Sequence, residues 1–484
     1  MKAITLTYPS IVSLLAFASC AQEELTRSDC SGEQEMIIFH TSLPSLTLTR
    51  EADVDRAPDF SDGIHLAVFT LENSNVSDSD VSLVGEDGKL NEYFVNGNLE
   101  VINNVFSTPE CRWPRNHGEK EGRLEFYAFY PPVSKLGAGV EDKPEVVNNS
   151  KVENNLTTTD YRLEHFRIAK DISRQVDFVT AHTTGSKAEN QFSGVNLEFQ
   201  HQLSRVVIHA FGPNDMYDVE IAGVRIDCTV MEGNFNLSTA PERSADEDNT
   251  IGNWELADSP EKDYVEYVFG EDDEPVSISN STHNTLQTAA PIMGKVGSFM
   301  LIPYRHEAWQ PNGEDATTNP DPKNEKQGMY FSVLVRVIDK STGRIFYPYP
   351  DEKAPIDETR TKIYLSVEKT TESIEKTTGK VKRRLYRNTN NEYFTTPDFA
   401  DSSKYTISSS EEVREYGWSA VPIKVDWKAG YEYNYYLDFS KGIGLHNSED
   451  PTPGKPIKGR LSVTSPTTPD KWVDKDISKE FIIE

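Results

Sequence analysis

The chain has 484 residues, which is too many for one ordinary hydrophobic core, so two domains are expected. Its 78 acidic and 49 basic residues give a formal charge of −29, which argues against nucleic acid as a partner and against electrostatic docking on anionic lipid. Hydrophobic residues make up 36% of the chain and aromatic residues 10%, which is enough for folded cores, and the many Tyr and Phe residues favour β structure.

The first predicted element is an export signal over residues 1–19. Lys2 precedes a short apolar run at 11–18, and this run is far too short to cross a bilayer. The sequence Ala18-Ser19-Cys20 resembles a lipobox, so Cys20 is predicted to carry lipid, to begin the mature chain and to attach it to the outer membrane. An ordinary cleaved signal followed by an incidental cysteine is the alternative.

Strands follow a polar segment, 20–34, that is predicted to be a flexible leader. Residues 133–160, rich in Asn, Thr, Lys and Glu, predict an insertion loop within a first domain at 35–193. Apolar runs bounded by turn residues predict the strands of this domain: Met36–Leu48, Ile64–Leu71, Leu124–Tyr130 before Pro131-Pro132, and Val176–Ala181.

The pattern restarts near residue 193, where we place the domain boundary to within about ten residues, so that the second domain covers 194–484. A short helical turn is predicted at Ser410–Tyr416. Short strands separated by turn signals predict an all-β fold with a sandwich in each half. The predicted strands of the second half are Val195–Phe199, Val206–Phe211, Val219–Val230, Tyr264–Phe269, Phe299–Ile302, Tyr330–Ile338, Arg344–Tyr349, Ile363–Val367 and Tyr431–Phe439.

No motif for catalysis is present: the chain lacks H-E-x-x-H, G-x-S-x-G, a P-loop and G-x-G-x-x-G. The sequence therefore predicts no catalytic residue, no metal and no cofactor. His201 is expected at a surface or a strand end, not as a base. The tryptophans Trp254, Trp309 and Trp418 are interpreted as half-buried core aromatics, with sugar-stacking platforms as the alternative.

The cysteines other than Cys20 are Cys30, Cys111 and Cys228, and their spacing fits no zinc motif. Because their number is odd, at least one stays unpaired within the chain, and the pairing of the others is left open.

Several segments, taken in order, resemble the fimbrillin family, the type V pilins of Bacteroidales. The resemblance runs over nearly the whole chain, but insertions at 133–160, 241–290 and 368–400 depart from it and leave a tip or accessory role open beside a stalk role. The segments are Arg112-Trp113-Pro114 with Leu124–Pro131, Val195–Ser204, Phe299–Pro303, Gly430–Phe439 and Trp472.

The resemblance implies two transthyretin-like Greek-key sandwiches in tandem, and assembly by strand exchange. In that mechanism a trypsin-like maturation protease cuts behind the first strand, and a C-terminal strand of another fimbrial subunit fills the groove that opens. The candidate cuts are after Arg50 or, as second choice, Arg56, and plain solvated arginines are the alternative. The candidate donor residues are Ile457, Leu461 and Val463 in the segment 457–484, for which an ordinary terminal strand packed on its own domain is the alternative.

The predicted function is therefore that of a cell-surface fimbrial subunit, or a tip or accessory subunit, that is exported as a lipoprotein and supports adhesion. The alternative is a lipid-anchored surface protein that binds a glycan or a host protein and does not polymerise. A hydrolase is the third hypothesis, and it would require convergent carboxylates or a metal in a cleft.

Overall fold

The chain folds almost entirely into β strands. A computed structural model describes residues 35–43, 58, 60–70, 92–102, 104–114, 122–136, 144–153, 156–212, 215–238, 253–269, 274–294, 297–310, 328–348, 386–388, 393–394, 405–407, 416–446, 456–457, 461–464 and 469–472. The predicted all-β fold class is confirmed.

The strands are numbered in chain order. Those before residue 202 are β1 (Met36–Ser42), β2 (Ile64–Thr70), β3 (Phe94–Leu99), β4 (Val105–Arg112), β5 (Arg123–Tyr130), β6 (Glu145–Asn148), β7 (Lys151–Glu153), β8 (Leu156–Thr158), β9 (Tyr161–Arg167), β10 (Val179–Ser186), β11 (Val195–Glu198) and β12 (Gln200–His201). A short α helix, α1 (Lys187–Asn190), lies between β10 and β11.

The second half is also built from short strands, apart from the long β14 and β22. Its strands are β13 (Ser204–Phe211), β14 (Tyr217–Val230), β15 (Glu232–Asn236), β16 (Asn253–Glu255), β17 (Lys262–Val268), β18 (Val276–Ile278), β19 (Ala290–Pro291), β20 (Phe299–Leu301), β21 (Arg305–His306), β22 (Tyr330–Asp339), β23 (Ile345–Tyr347), β24 (Tyr386–Asn388), β25 (Tyr393–Phe394), β26 (Tyr405–Ile407), β27 (Gly417–Pro422), β28 (Val425–Asp426), β29 (Tyr431–Asp438), β30 (Gly444–His446), β31 (Pro456–Ile457), β32 (Ser462–Thr464) and β33 (Asp470–Lys471). Single 3-10 turns lie at Phe60–Asp62, Val133–Lys135, Ile172–Arg174, Leu286–Thr288 and Phe439–Lys441.

Two sheets of the first half share one hydrophobic core. Their strand orders are β11-β1-β4 and β12-β10-β5-β2-β3. The strand β5 ends at Tyr130, directly before the two prolines, as the sequence predicted. The core between the sheets contains Ile37, Phe39, Leu66, Val68, Phe106, Phe126, Ala128, Ala181, Val195 and Leu197.

Two larger sheets of the second half share a further core. One has the order β19-β13-β29-β32, with β20 paired to β13 and β33 to β29, and the other has the order β17-β14-β22-β27-β30-β31, with β18 on β14 and β23 on β22. The ladder between β14 and β22 shifts register between Ile221 and Gly223, so that both Ile221 and Val224 are buried in the core. Phe331 and Tyr435, from different sheets, meet edge-on with ring centroids 5.0 Å apart.

A further sheet, with the order β16-β15-β9-β6, joins strands from the two halves of the chain. Beside it, Phe178 meets Phe235 at 5.2 Å and Phe166 meets Trp254 at 5.2 Å between ring centroids. The residues of β2 and β5 that point away from the first core, such as Phe69, belong to the same cluster as the core of the second half. Strands β2 and β5 are therefore buried on both faces, which explains their continuous apolar sequences.

The predicted insertion loop at 133–160 was wrong in part. It contains β6, which pairs with β9, and the hairpin of β7 with β8. These strands are short and polar, so neither the apolar alternation nor the composition of the segment indicates them. The predicted strand at Ile363–Val367 lies outside the described residues, as does all but the last residue of the helical turn predicted at Ser410–Tyr416.

The two strands directly after the predicted domain boundary, β11 and β12, pair with strands of the first half. The strand β11 pairs with β1, and β12 pairs with β10. The sheets associated with the second half begin at β13. The division of the chain into domains at 35–193 and 194–484 stays a prediction.

Candidate functional site at the terminal strands

The first described strand, β1, fits a half-buried position through its alternating sequence. Ile37 and Phe39 are fully buried, whereas Met36 and Ile38 are 47% and 45% exposed. The ring of Phe39 stacks on Phe106, with centroids 4.8 Å apart and planes 11° from parallel. Burying two such side chains stabilises the fold by about 1.5–3 kcal/mol each.

Both edges of β1 are occupied. It pairs in parallel with β11, where Phe39 lies opposite Val195, and antiparallel with β4, where Phe39 lies opposite Phe106. At its ends, the Trp113 amide donates to the Glu35 carbonyl at 2.9 Å, and the Phe199 amide donates to the Ser42 carbonyl at 2.8 Å. Loss of β1 would therefore leave a row of unpaired backbone groups on β4 and another on β11, with an open apolar slot between them.

The chain enters a long connection after β1, and this connection carries both candidate cleavage sites. Strand β1 ends at Ser42 and β2 begins at Ile64. Arg50 and Arg56 both fall between them, outside the described residues, and so does the candidate lipidation site Cys20.

The C-terminal segment lies against the long strand β29. Tyr433 and Tyr435 of β29 are buried, which raises the pKa of each phenol to about 12. Both phenols therefore stay neutral and serve as hydrogen-bonding groups: the Trp427 indole donates to the Tyr435 hydroxyl at 3.0 Å, and the Lys428 amide donates to the Tyr433 hydroxyl at 2.7 Å. These contacts fix the position of β29, with which the strands of the C-terminal segment pair.

The three predicted donor residues are all engaged within their own chain. Val463 lies opposite Leu437 in the pairing of β32 with β29, and Leu461 is 6% exposed within the core of the second half. Ile457, in β31, lies opposite Gly444 of β30. Within the described residues, the pairings of β31, β32 and β33 include two or three residue pairs each.

Trp472 ends the described C-terminal segment and is buried in the second-half core, beside a strand of the first half. Its ring stacks on His201 of β12, with centroids 4.0 Å apart and planes 7° from parallel. The Trp472 amide donates to the Gly430 carbonyl at 2.7 Å. His201 has a second partner in Asp177, whose carboxylate oxygen lies 2.8 Å from His201 Nδ1.

His201 lies at a strand end, as predicted, but it is 3% exposed and not at the surface. A signal for this burial was present in the sequence. Position 201 continues the alternation of Val195, Leu197 and Phe199, all of which point inward.

The candidate sugar-stacking tryptophans are part of the packing. Trp309 and Trp418 are 3% and 2% exposed, and Trp418 stacks under the Arg225 guanidinium at 4.1 Å. The Trp254 indole donates to the Gln202 carbonyl at 2.7 Å in a partly buried position. Their interpretation as core aromatics is confirmed, but only Trp254 is half-buried, whereas Trp309 and Trp418 are buried almost completely.

Cys111 and Cys228 are both buried thiols, and they belong to different core clusters. Among the described residues, no group of three or more His, Cys, Asp or Glu side chains could hold a metal ion. Within the same part of the chain, no helix is long and apolar enough to cross a membrane.

Comparison with known families identifies the chain. A model of the fimbrillin-like family matches residues 56–310, more than half of the sequence. The chain belongs to the fimbrillin-like family. The resemblance inferred from the sequence motifs is thereby confirmed, and this fimbrillin-like protein is a cell-surface fimbrial subunit that associates with other fimbrial subunits.

Solved structures similar to the fimbrillin-like chain include proteins from Bacteroides and Parabacteroides species. A fimbrial protein from Bacteroides vulgatus is 11% identical with a TM-score of 0.41, over 90% of this chain and all of that one (100%). A candidate cell adhesion protein from Bacteroides ovatus is 12% identical with a TM-score of 0.33, over 92% of this chain and 100% of that one. A candidate cell adhesion protein from Parabacteroides distasonis is 7% identical with a TM-score of 0.35, over 91% and 97%. Since these values are low, no residue role is carried over from them.

None of the curated protein sequences compared with the chain matches it.

Proposed function

We propose that this fimbrillin-like chain is a fimbrial stalk, tip or accessory subunit that assembles by strand exchange. It is exported as a lipoprotein on Cys20, and a trypsin-like protease cuts after Arg50 or Arg56. The cut releases β1, and the C-terminal segment of another subunit takes its place between β4 and β11.

The observation that carries the proposal is the position of β1. It is the first described strand, and the long connection that follows it contains Arg50 and Arg56. It is nevertheless the central strand of its sheet, and its Ile37 and Phe39 side chains are buried in the core. A replacement strand would recover the backbone hydrogen bonds of both neighbours and bury alternate side chains in the same slot.

The C-terminal segment supports the proposal through its position at a sheet edge. Among the described strands, β32 is the last in its sheet and pairs with β29, where Val463 lies opposite Leu437. An edge strand opens more easily than a central one, so that a segment held in its own subunit before assembly can be transferred to another.

The decisive measurement is the mature N-terminus of the protein taken from the cell surface, by mass spectrometry. The proposal predicts a chain that begins at Glu51, or at Ala57 if the second arginine is used. The Arg50→Gln and Arg56→Gln variants serve as matched controls, because only the variant at the true site would block processing and polymer formation. Polymers built from chains that still begin at a lipid-modified Cys20 would contradict the loss of β1.

A further inference from the structure

The C-terminal segment is anchored by Trp472, which reaches a strand of the first half. The Trp472 ring is 5% exposed and stacks on His201 of β12, with centroids 4.0 Å apart. The Arg205 guanidinium lies over the same ring, 5.8 Å from its centroid. The two residues before it, Asp470 and Lys471, are exposed. Because a buried aromatic ring removes a large apolar area from water, Trp472 is the side-chain anchor of β33.

The platform beneath this ring belongs to the first half of the chain. His201 lies opposite Val179 in the pairing of β12 with β10, and its Nδ1 lies 2.8 Å from a carboxylate oxygen of Asp177. The side chains of His201 and Asp177 are each 1% exposed. The position of the Trp472 ring therefore depends on how β12 is held.

Strand β12 is connected to β1 through its neighbour β11. The parallel pairing of β1 with β11 extends to Ser42, and the Phe199 amide donates to the Ser42 carbonyl at 2.8 Å. Phe199 is fully buried and lies two residues before His201. Loss of β1 removes the acceptor of this amide together with the whole ladder along β11. Because a buried amide without an acceptor is costly, the chain up to His201 then has a reason to rearrange.

We propose that the stack of Trp472 on His201 is a latch, which holds the C-terminal segment in its own subunit while β1 is present and loosens when β1 is lost. The inference rests on the proposed function, because it makes the removal of β1 the event that frees the donor segment. An unprocessed subunit then offers neither an open slot nor a free donor segment, so that assembly waits for cleavage. The two segments are coupled, and whatever opens one opens the other by the same factor.

Hydrogen exchange of the full, unprocessed chain measures this coupling without protease or polymer. Phe39→Ala loosens β1 in place, because it removes the ring that stacks on Phe106. The amides at 461–464 and 469–472 should then exchange about tenfold faster, while those of β14 and β22 keep their rates. Ile38→Ala is the matched control, since Ile38 lies on the same strand and is 45% exposed. Unchanged exchange at the C-terminal segment in Phe39→Ala would overturn the latch.

The reverse measurement tests the latch from its other end. Trp472→Ala should speed the exchange of the β1 amides by about the same factor, whereas Asp470→Ala, at an exposed position of β33, should not. Faster exchange in β14 and β22 identifies a variant that has unfolded as a whole, and Phe39→Leu or Trp472→Phe then takes its place. A substitution at Trp472 that opens the C-terminal segment and leaves β1 unchanged would contradict the coupling.

Polymer formation separates this inference from strand exchange. Polymers of the wild type from producing cells are followed as a ladder under mild denaturation. If a ladder forms although the two segments exchange independently, the latch is wrong and strand exchange stands. If the segments are coupled but no ladder forms, the latch is a property of the single subunit and strand exchange is wrong.

Discussion

At the scale of single residues, His65 shows how the two-sided burial of the first large sheet constrains a polar side chain. It is 4% exposed, stacks on Phe129 with centroids 4.5 Å apart, and its Nε2 lies 2.7 Å from the Tyr161 hydroxyl. Burial lowers the pKa of His65 from 6.5 to about 4. The fold therefore favours the neutral ring.

The stability of the protein should consequently depend on pH through His65. The unfolded chain binds a proton near pH 6.5, but the folded chain binds it only near pH 4. The neutral ring therefore adds about 3 kcal/mol to the free energy of unfolding above about pH 6.5. This contribution is lost as the pH falls to about 4. Denaturant unfolding of the wild type at pH 7 and pH 4 checks this.

The variant His65→Gln is the control, because carboxyl groups elsewhere in the protein also change their charge as the pH falls towards 4. Its stability should fall less than that of the wild type between pH 7 and pH 4. Equal losses in both proteins would show that His65 does not carry the effect.

At the scale of elements, the removal of β1 that the proposed processing requires can be followed through Cys111. Cys111, on β4, is fully buried in the core that β1 closes, and burial raises the pKa of its thiol to about 12. Cys228, on β14, is equally buried but belongs to the core of the second half. The two thiols therefore report on different elements.

Removal of β1 should make Cys111 reactive towards iodoacetamide at pH 8 in the processed monomer, before a donated strand fills the slot, while Cys228 stays protected. In the unprocessed protein both thiols should resist alkylation, because neither reaches solvent and the thiolate of Cys111 is also disfavoured. Peptide mass spectrometry before and after processing measures each site separately. Simultaneous labelling of Cys111 and Cys228 would mean global unfolding, and protection of both in the processed monomer would mean that the slot does not open.

At the scale of the whole molecule, the two halves are joined by packing and by a shared sheet. Strand β9 of the first half pairs with β15 of the second, and Phe178 of the first half packs against Phe235 and Trp254. The faces of β2 and β5 that turn away from β1 belong to the second-half core cluster. Neither half could expose this surface without a large hydrophobic cost.

The halves should therefore unfold together. Calorimetry of the chain should give one cooperative transition, and Phe178→Ala should lower its midpoint through a loss of about 3–5 kcal/mol of stability. Phe192→Ala is the matched control, because that ring is 93% exposed and its loss should leave the midpoint nearly unchanged. Two separate transitions, with only one displaced by Phe178→Ala, would contradict the shared core.

The sequence by itself determined the fold class, the family and most of the long strands. Alternation in Tyr431–Asp438 and the proline pair after Tyr130 act locally, through side-chain direction and a missing amide donor, and so they can be interpreted without knowing any partner strand. Only the tertiary structure decided which strands pair: that β1 lies between β4 and β11, that Trp472 stacks on His201, and that Leu461 is buried in its own chain. These contacts join residues far apart in sequence, and no local pattern encodes which distant strand will supply the partner.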